Sequence, residues 1–323
     1  VPTYKSAVIT ETLTCNPYDP VLGTGGILVL FVKGNLVFNA DINVDGKGFP
    51  GADPVIAEYN GTCSSLDTVY QGYYFTPAQG NYSALKGYSV ASTTSNFLRG
   101  RGPISNGGGG GNGKYSGVGG GANGGDGGKG GYESAGCDST TIDGGIGGIG
   151  GKGTTLYYIN DGKNCITLGG GGGTSTQNLP LSKVATPGGD GGGIVVIVCD
   201  SLIGQGPVRN IFARGQSVTD FSTAGAGGGG AGGVIILHIN KQKTRPKLWI
   251  SGGDGGSVSS LAPEACGPGG GGGSGVIWHN GLSIAPEPGW LEPPVGSWDN
   301  SPGENGYYKS DPNGAFSGSP KLP

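Results

Sequence analysis

The chain lacks much of what enzymes and nucleic-acid binders rely on. It has no Met and only two His in 323 residues. No H-E-x-x-H, G-x-S-x-G or paired Cys/His pattern occurs, so no zinc protease, hydrolase elbow or thiol nucleophile is signalled. Charged residues make up 13%, with 19 basic against 22 acidic and a net charge of −3. That balance leaves no electrostatic footprint for nucleic acid. The densest basic group, Lys241, Lys243, Arg245 and Lys247, reads as a solvated turn between two strands. No apolar run approaches the ~20 residues that span a bilayer, so no transmembrane segment is expected. The chain begins at Val1 without a signal peptide, and the expectation is a mature chain after signal removal.

What is present in excess is Gly, 76 residues, with 21 Pro. Such a composition usually marks low complexity. Disorder, however, needs little hydrophobicity and strong charge, and this chain is 34% hydrophobic, with runs such as 27–32 and 194–198. Collagen is excluded because Pro does not recur at every third residue. A continuous α-helical protein is excluded because each Gly costs about 1 kcal/mol relative to Ala in a helix. A β-rich chain with extended Gly segments remains.

Six Cys occur: Cys15, Cys63, Cys137, Cys165, Cys199 and Cys266. An even number without C-x-x-C pairs favours disulfides over zinc, in an oxidising extracellular setting. Spacing does not choose among the pairings, and free buried thiols are the alternative.

Along the chain, 27–32 is a continuous apolar run, as in a strand buried on both faces. Residues 35–44 then alternate, with Leu36, Phe38, Ala40, Ile42 and Val44 on one face. Residues 58–100 are rich in Tyr, Ser, Thr and Asn and read as a long, partly ordered excursion. From 106 to 275, Gly runs alternate with short apolar runs. Gly-Gly followed by Ile or Val recurs at Ile27, Ile194 and Val234, and Ser274-Gly275 precedes Val276 in the same way. A second short strand follows at 210–214 and again at 247–251. This self-similarity predicts stacked supersecondary units.

The Gly runs carry a period of three. In 124–131 it places Asp126, Lys129 and Tyr132 on one edge; in 144–151 it does the same for Ile146 and Ile149. An extended three-fold chain has no internal hydrogen bonds, so its backbone must pair laterally. The expected fold is all-β: a β-solenoid or sandwich-like core with ordered polyglycine II helices. It would occupy residues 1–285, with the main repeats at 106–283. A Pro-rich tail or linker carrying Trp290 and Trp298 would occupy 286–323.

Several motifs read more simply as structure. Asp41-x-Asn43-x-Asp45-Gly46 opens like a calcium loop, but Ala52 stands where a bidentate Glu is needed. Gly108-x-x-x-x-Gly113-Lys114 imitates a phosphate loop, with Tyr115 in place of Ser or Thr. His238 and His279 fall inside strand-like runs. Asp190, Asp200 and Asp254 are the candidate carboxylates of a polysaccharide-degrading parallel β-helix enzyme, the alternative function. Asn60 and Asn81 fit the N-glycosylation acceptor pattern. No catalytic, cofactor or metal site is expected.

Three segments resemble a known group. They are Thr24-Gly-Gly-Ile-Leu-Val-Leu with the following stretch from Gly34 to Gly51, then Arg99-Gly-Arg-Gly-Pro-Ile-Ser-Asn and the Gly run to Asn112, and finally Glu264-Ala-Cys-Gly-Pro through the Gly run to Trp278. In this order they are similar to glycine-rich cell-surface adhesins of Bacteroidota, the gliding-motility type exported by type IX secretion. The chain departs from that pattern at Phe49-Pro50, where a Gly-rich turn often stands. The resemblance implies an extracellular adhesin, or a filament or tip component, at the cell surface. The resemblance implies nothing about the ligand; the partners expected are an extracellular surface or polysaccharide and other parts of a larger adhesin or its secretion machinery. It also implies O-glycosylation at Asp-Ser/Thr-apolar sites, here Thr68, Ser139 and Ser201. The Gly runs alone are similar to phage-type polyglycine receptor-binding adhesins.

Overall fold

The recurring Gly-Gly-apolar units lie side by side. In the computed structural model Ile27 stands opposite Ile194, Ile194 opposite Val234, and Val234 opposite Val276, all in parallel register. The described residues are 1–57, 72–75, 83–91, 97–113, 116–131, 147–153, 166–178, 184–220, 222–258, 267–280 and 282–283. The strands are β1 (Thr3–Tyr4), β2 (Ala7–Ile9), β3 (Ile27–Phe38), β4 (Ile42–Asn43), β5 (Val55–Ala57), β6 (Thr176–Asn178), β7 (Ile194–Ile203), β8 (Asn210–Phe212), β9 (Val234–Gln242), β10 (Lys247–Trp249), β11 (Val276–His279) and β12 (Leu282–Ser283).

The larger sheet runs β1-β3-β7-β9-β11-β12, with β2 also on β3. Only β11 and β12 pair antiparallel in it. A smaller parallel sheet runs β10-β8-β4, and β5 pairs with β6 separately. The run 27–32 and the first part of the alternating stretch are joined in β3, whose register shifts between Val32 and Asn35, whereas the end of that stretch crosses to the small sheet as β4. Gly34 sits in this bulge, and an added Cβ there would stand 2.8 Å from the Lys5 carbonyl oxygen.

The alternation of 35–44 is explained by the core. Leu36, Phe38, Ile42 and Val44 are buried together with Val195, Ile197, Ile211, Ile235, Leu237, Leu248 and Ile250. The inner face of the small sheet therefore shares one core with one face of the large sheet. Each such side chain contributes about 1.5–3 kcal/mol by leaving water. The opposite face of the large sheet buries Ile194, Val234, Val276 and Trp278 under Phe49 and Leu168. Tyr18 meets the Phe49 ring edge-on, with centroids 5.0 Å apart.

Parallel strands need long crossovers, usually helical. Here Gly segments take that place. Segment 225–233 shows how. Ala226, Gly229 and Gly232 donate to Gly267, Gly270 and Gly273 at 2.9–3.0 Å. Gly228 and Ala231 donate to Gly173 and Gly170, and Gly230 and Gly233 to Gln216 and Ala213. The carbonyls of this segment accept from Gly121, Gly189, Gly192, Gly253 and Gly256. Successive amides thus point to three different neighbours, as a chain with three residues per turn requires. The bare Cα surfaces set the spacing. A methyl group on Gly229, Gly230 or Gly232 would run into the carbonyl of Gly253, Asp190 or Ile250.

The expected solenoid or sandwich-like core is not what forms. The sheets are open and mostly parallel, and no helix is assigned among the described residues. A solenoid needs coils of similar length. Here β3 and β7 are neighbours although residues 39–193 lie between them, and much of that intervening chain spreads into the Gly lattice. The expected tail, 286–323, lies outside the described residues, as do Tyr132 and Ile146.

Candidate binding surface

Three places on the molecule gather side chains with chemical potential. The first is the outward face of the small sheet, which carries the calcium-like motif. Asp41 Oδ1 accepts from the Asn210 amide at 2.8 Å, and Asn43 Oδ1 from the Asp45 amide at 2.9 Å. Asp45 accepts from the Arg214 amide at 2.6 Å and from its Nε and Nη2 at 3.0 and 2.7 Å. Asp41 and Asp45 are therefore engaged in tying the β4 segment to the β8 segment, while Asn43 closes a local turn. No group of three or more metal-ligating side chains occurs among the described residues. Arg214 also lies over the Phe212 ring, 4.7 Å from its centroid, and Phe212 stacks on Trp249 at 6.1 Å. Trp249 Nε1 donates to Asn210 Oδ1 at 3.1 Å. This face is a clasp whose groups satisfy one another.

The second place is a cavity of about 150 Å³ on the large sheet, lined by Thr3, Phe31, Lys33, Val198, Cys199, Asp200, His238 and Asn240. Burial, with help from the Asp200 carboxylate, pushes the Cys199 thiol up to about 11, so it stays protonated at neutral pH. Asp200 is held below the usual carboxylate range, chiefly by the Ser201 hydroxyl and by Asn240. A protonated thiol beside an engaged carboxylate is not an activated nucleophile. His279 has its Nε2 buried without a partner among the described residues, and burial lowers its pKa. Asp190 Oδ1 accepts from the Gly51 amide at 2.8 Å, and burial raises its pKa. The Asp254 amide donates to Ser217 Oγ at 2.9 Å.

The third place differs in being exposed. Tyr73, Tyr74 and Phe97 are 59%, 55% and 47% exposed, with Leu98 next to Phe97 in the chain, while Phe75 is buried. Tyr74 and Phe97 touch with ring centroids 5.2 Å apart. Backbone bonds hold the two short segments together: the Phe75 amide donates to Arg99 at 3.2 Å and the Gly102 amide to Tyr73 at 3.0 Å. Gly100, at φ +106°, lets them close; an added Cβ there would stand 2.8 Å from Tyr74 Cα. The Gly110 amide then donates to Gly100 at 3.0 Å, which fixes the patch to the Gly lattice. Arg101 lies 5.8 Å from the Tyr73 ring centroid. Lys86 is only 8% exposed and donates through Nζ to the Tyr73 carbonyl at 2.8 Å. Burial lowers its pKa to about 8.

The residues singled out in the sequence are scattered relative to this patch. Cys15 and Cys199 are free thiols, and Cys63, Cys137, Cys165 and Cys266 lie outside the described residues. Thr68, Ser139, Asn60 and Asn81 lie outside them too. Ser201 is buried and donates to Asp200 Oδ2 at 3.0 Å. The phosphate-loop imitation fails structurally: the Gly108, Gly109 and Gly111 amides donate to the Gly171, Ile149 and Thr174 carbonyls. The aromatic patch itself was missed. Its signal was the run Tyr73-Tyr74-Phe75 in an otherwise polar excursion. No helix among the described residues is long and apolar enough to cross a membrane. No family model, curated protein or solved structure matches this chain.

Proposed function

We propose that this chain is an extracellular, non-catalytic binding protein of the adhesin type, a surface, filament or tip component that presents the Tyr73/Tyr74/Phe97 patch to a polysaccharide or other extracellular surface. The observation that supports the reading is the exposure of three aromatic rings on a laterally bonded Gly scaffold. Exposed Tyr rings give large contact area at small loss of side-chain freedom, and their ordered mounting lowers the entropy lost on binding. The resemblance of the Gly-rich openings to surface adhesins agrees with this use. The reading is tested by measuring adherence of the purified chain to polysaccharide-coated and cell-derived surfaces, with product analysis on the same polysaccharides. Adherence without cleavage, weakened by Tyr74→Ala, is the expected result. Cleavage of a polymer, or adherence indifferent to all three rings, would overturn it.

A further inference from the structure

Among the described residues, the aromatic patch has a cationic floor without an anion. Lys86 is nearly buried, yet among the described residues its ammonium has one acceptor, the Tyr73 carbonyl. An ammonium carries three donors, and a buried charge is normally paired. Arg101, whose guanidinium lies by the Tyr73 ring, has its Nε buried with no acceptor among the described residues. Both cations therefore converge on one residue, Tyr73, one on its backbone and one on its ring. The sequence around them is one-signed. Residues 68–125 contain Lys86, Arg99, Arg101 and Lys114 but neither Asp nor Glu, in a chain whose net charge is −3.

We propose that the patch recognises acidic polysaccharide of the uronate type, with sugar rings lying on Tyr73, Tyr74 and Phe97 and a ring carboxylate received by Arg101 beside Lys86. This rests on the binding reading given above and adds the ligand class to it. A uronate offers both features the site displays: a flat C–H face suited to an aromatic ring, and a carboxylate attached to the same ring. Guanidinium meets carboxylate through parallel N–H donors, which fixes orientation as well as charge. A neutral glycan would leave the Arg101 and Lys86 donors unfilled, and an acidic peptide would place its carboxylates on flexible stems away from the rings.

The test uses the full chain and three uronate polymers, polygalacturonate, polymannuronate and hyaluronan, each also in carboxyl-reduced form, with polyglutamate as a peptide of similar charge. The expected result is retention of at least one uronate polymer with about tenfold or greater loss on carboxyl reduction, the scale of one charge-assisted hydrogen bond. Arg101→Gln should lose about as much, while Lys247→Gln, on β10 of the small sheet and not part of the patch, stays within about twofold. Because reduction of the polymer alters no residue, the proposal remains testable if Arg101→Gln does not fold. Equal retention of native and reduced polymers overturns the carboxylate inference and leaves glycan binding standing. Stronger retention of polyglutamate than of every uronate overturns it in favour of an acidic peptide. Retention of none overturns it as well, and the adherence measurement then decides the binding reading on its own.

Discussion

The Cα of Gly148 faces the carbonyl oxygen of Gly109 so closely that no methyl group fits between them. The Gly148 amide donates to Gly117 at 3.1 Å, and its carbonyl accepts from Gly130 at 2.9 Å. Three neighbouring segments thus meet at one residue. Gly148→Ala should lower the unfolding free energy by about 1–3 kcal/mol through overpacking, plus about 1 kcal/mol if a lateral bond is lost. Ile149, partly exposed on the next position, should tolerate Val at a loss of about 1 kcal/mol or less. Denaturant titration of both variants checks the ranking. A neutral Gly148→Ala would mean that the segment behaves as a flexible linker, where Ala is tolerated or slightly stabilising.

The Asp45 carboxylate is engaged by the Arg214 guanidinium and backbone amide. Chelator should therefore leave the melting temperature unchanged, and Asp45→Ala should lower stability by about 1 kcal/mol, the value of a partly exposed bidentate pair. Thermal unfolding with and without chelator checks both. A large chelator effect abolished by Asp45→Ala would restore the calcium reading of Asp41–Asp45.

Cys199 stands on β7, in the shared core, with its thiol pushed up by burial. Alkylation of the native protein at pH 8 should leave it unmodified, whereas alkylation after denaturation should label it without prior reduction. Mass mapping of the labelled peptide distinguishes the states. Recovery of Cys199 only after reduction would place it in a disulfide and contradict the free thiol.

The sequence made some of this architecture readable and hid the rest for physical reasons. Leu36 to Val44 announced a buried face because strand alternation is local, and Ile194, Val234 and Val276 announced equivalent strands because their flanks repeat. The open form of the sheets was not readable. It depends on where the chain between Asn39 and Gly193 goes, and that is decided by lateral bonds between Gly residues that carry no side-chain signal. The aromatic patch was hidden for a related reason. Phe75 and Arg99 pair across the polar excursion, and nothing in the alternation of that stretch marks Tyr73 and Tyr74 as outward. Nothing in the sequence beside Lys86 marks it as buried, and its acceptor, the Tyr73 carbonyl, lies 13 residues away.

Lys86 gives a prediction whose sign is unambiguous. Its pKa is lowered by burial from 10.5 in an unfolded chain to about 8. Below pH 8 the group is protonated in both states, and the folded state bears the full burden of the desolvated charge. Between pH 8 and 10.5 the unfolded chain holds the proton and the folded chain has released it, so stability rises with pH. The gain from this group, on the order of 3 kcal/mol, is complete above about pH 10.5. Cys199 acts in the opposite direction, since its folded thiol keeps its proton up to about 11. The comparison must therefore be between the native chain and Lys86→Met, which removes the charge while keeping much of the stem. At pH 7 Lys86→Met should be the more stable protein, and the difference should shrink steadily from pH 8 to 10. Urea unfolding at several pH values across that window reads the difference directly. A difference that does not change with pH would mean that the Lys86 ammonium is solvated or paired in the folded chain, and that the cationic floor beneath Tyr73 is already satisfied.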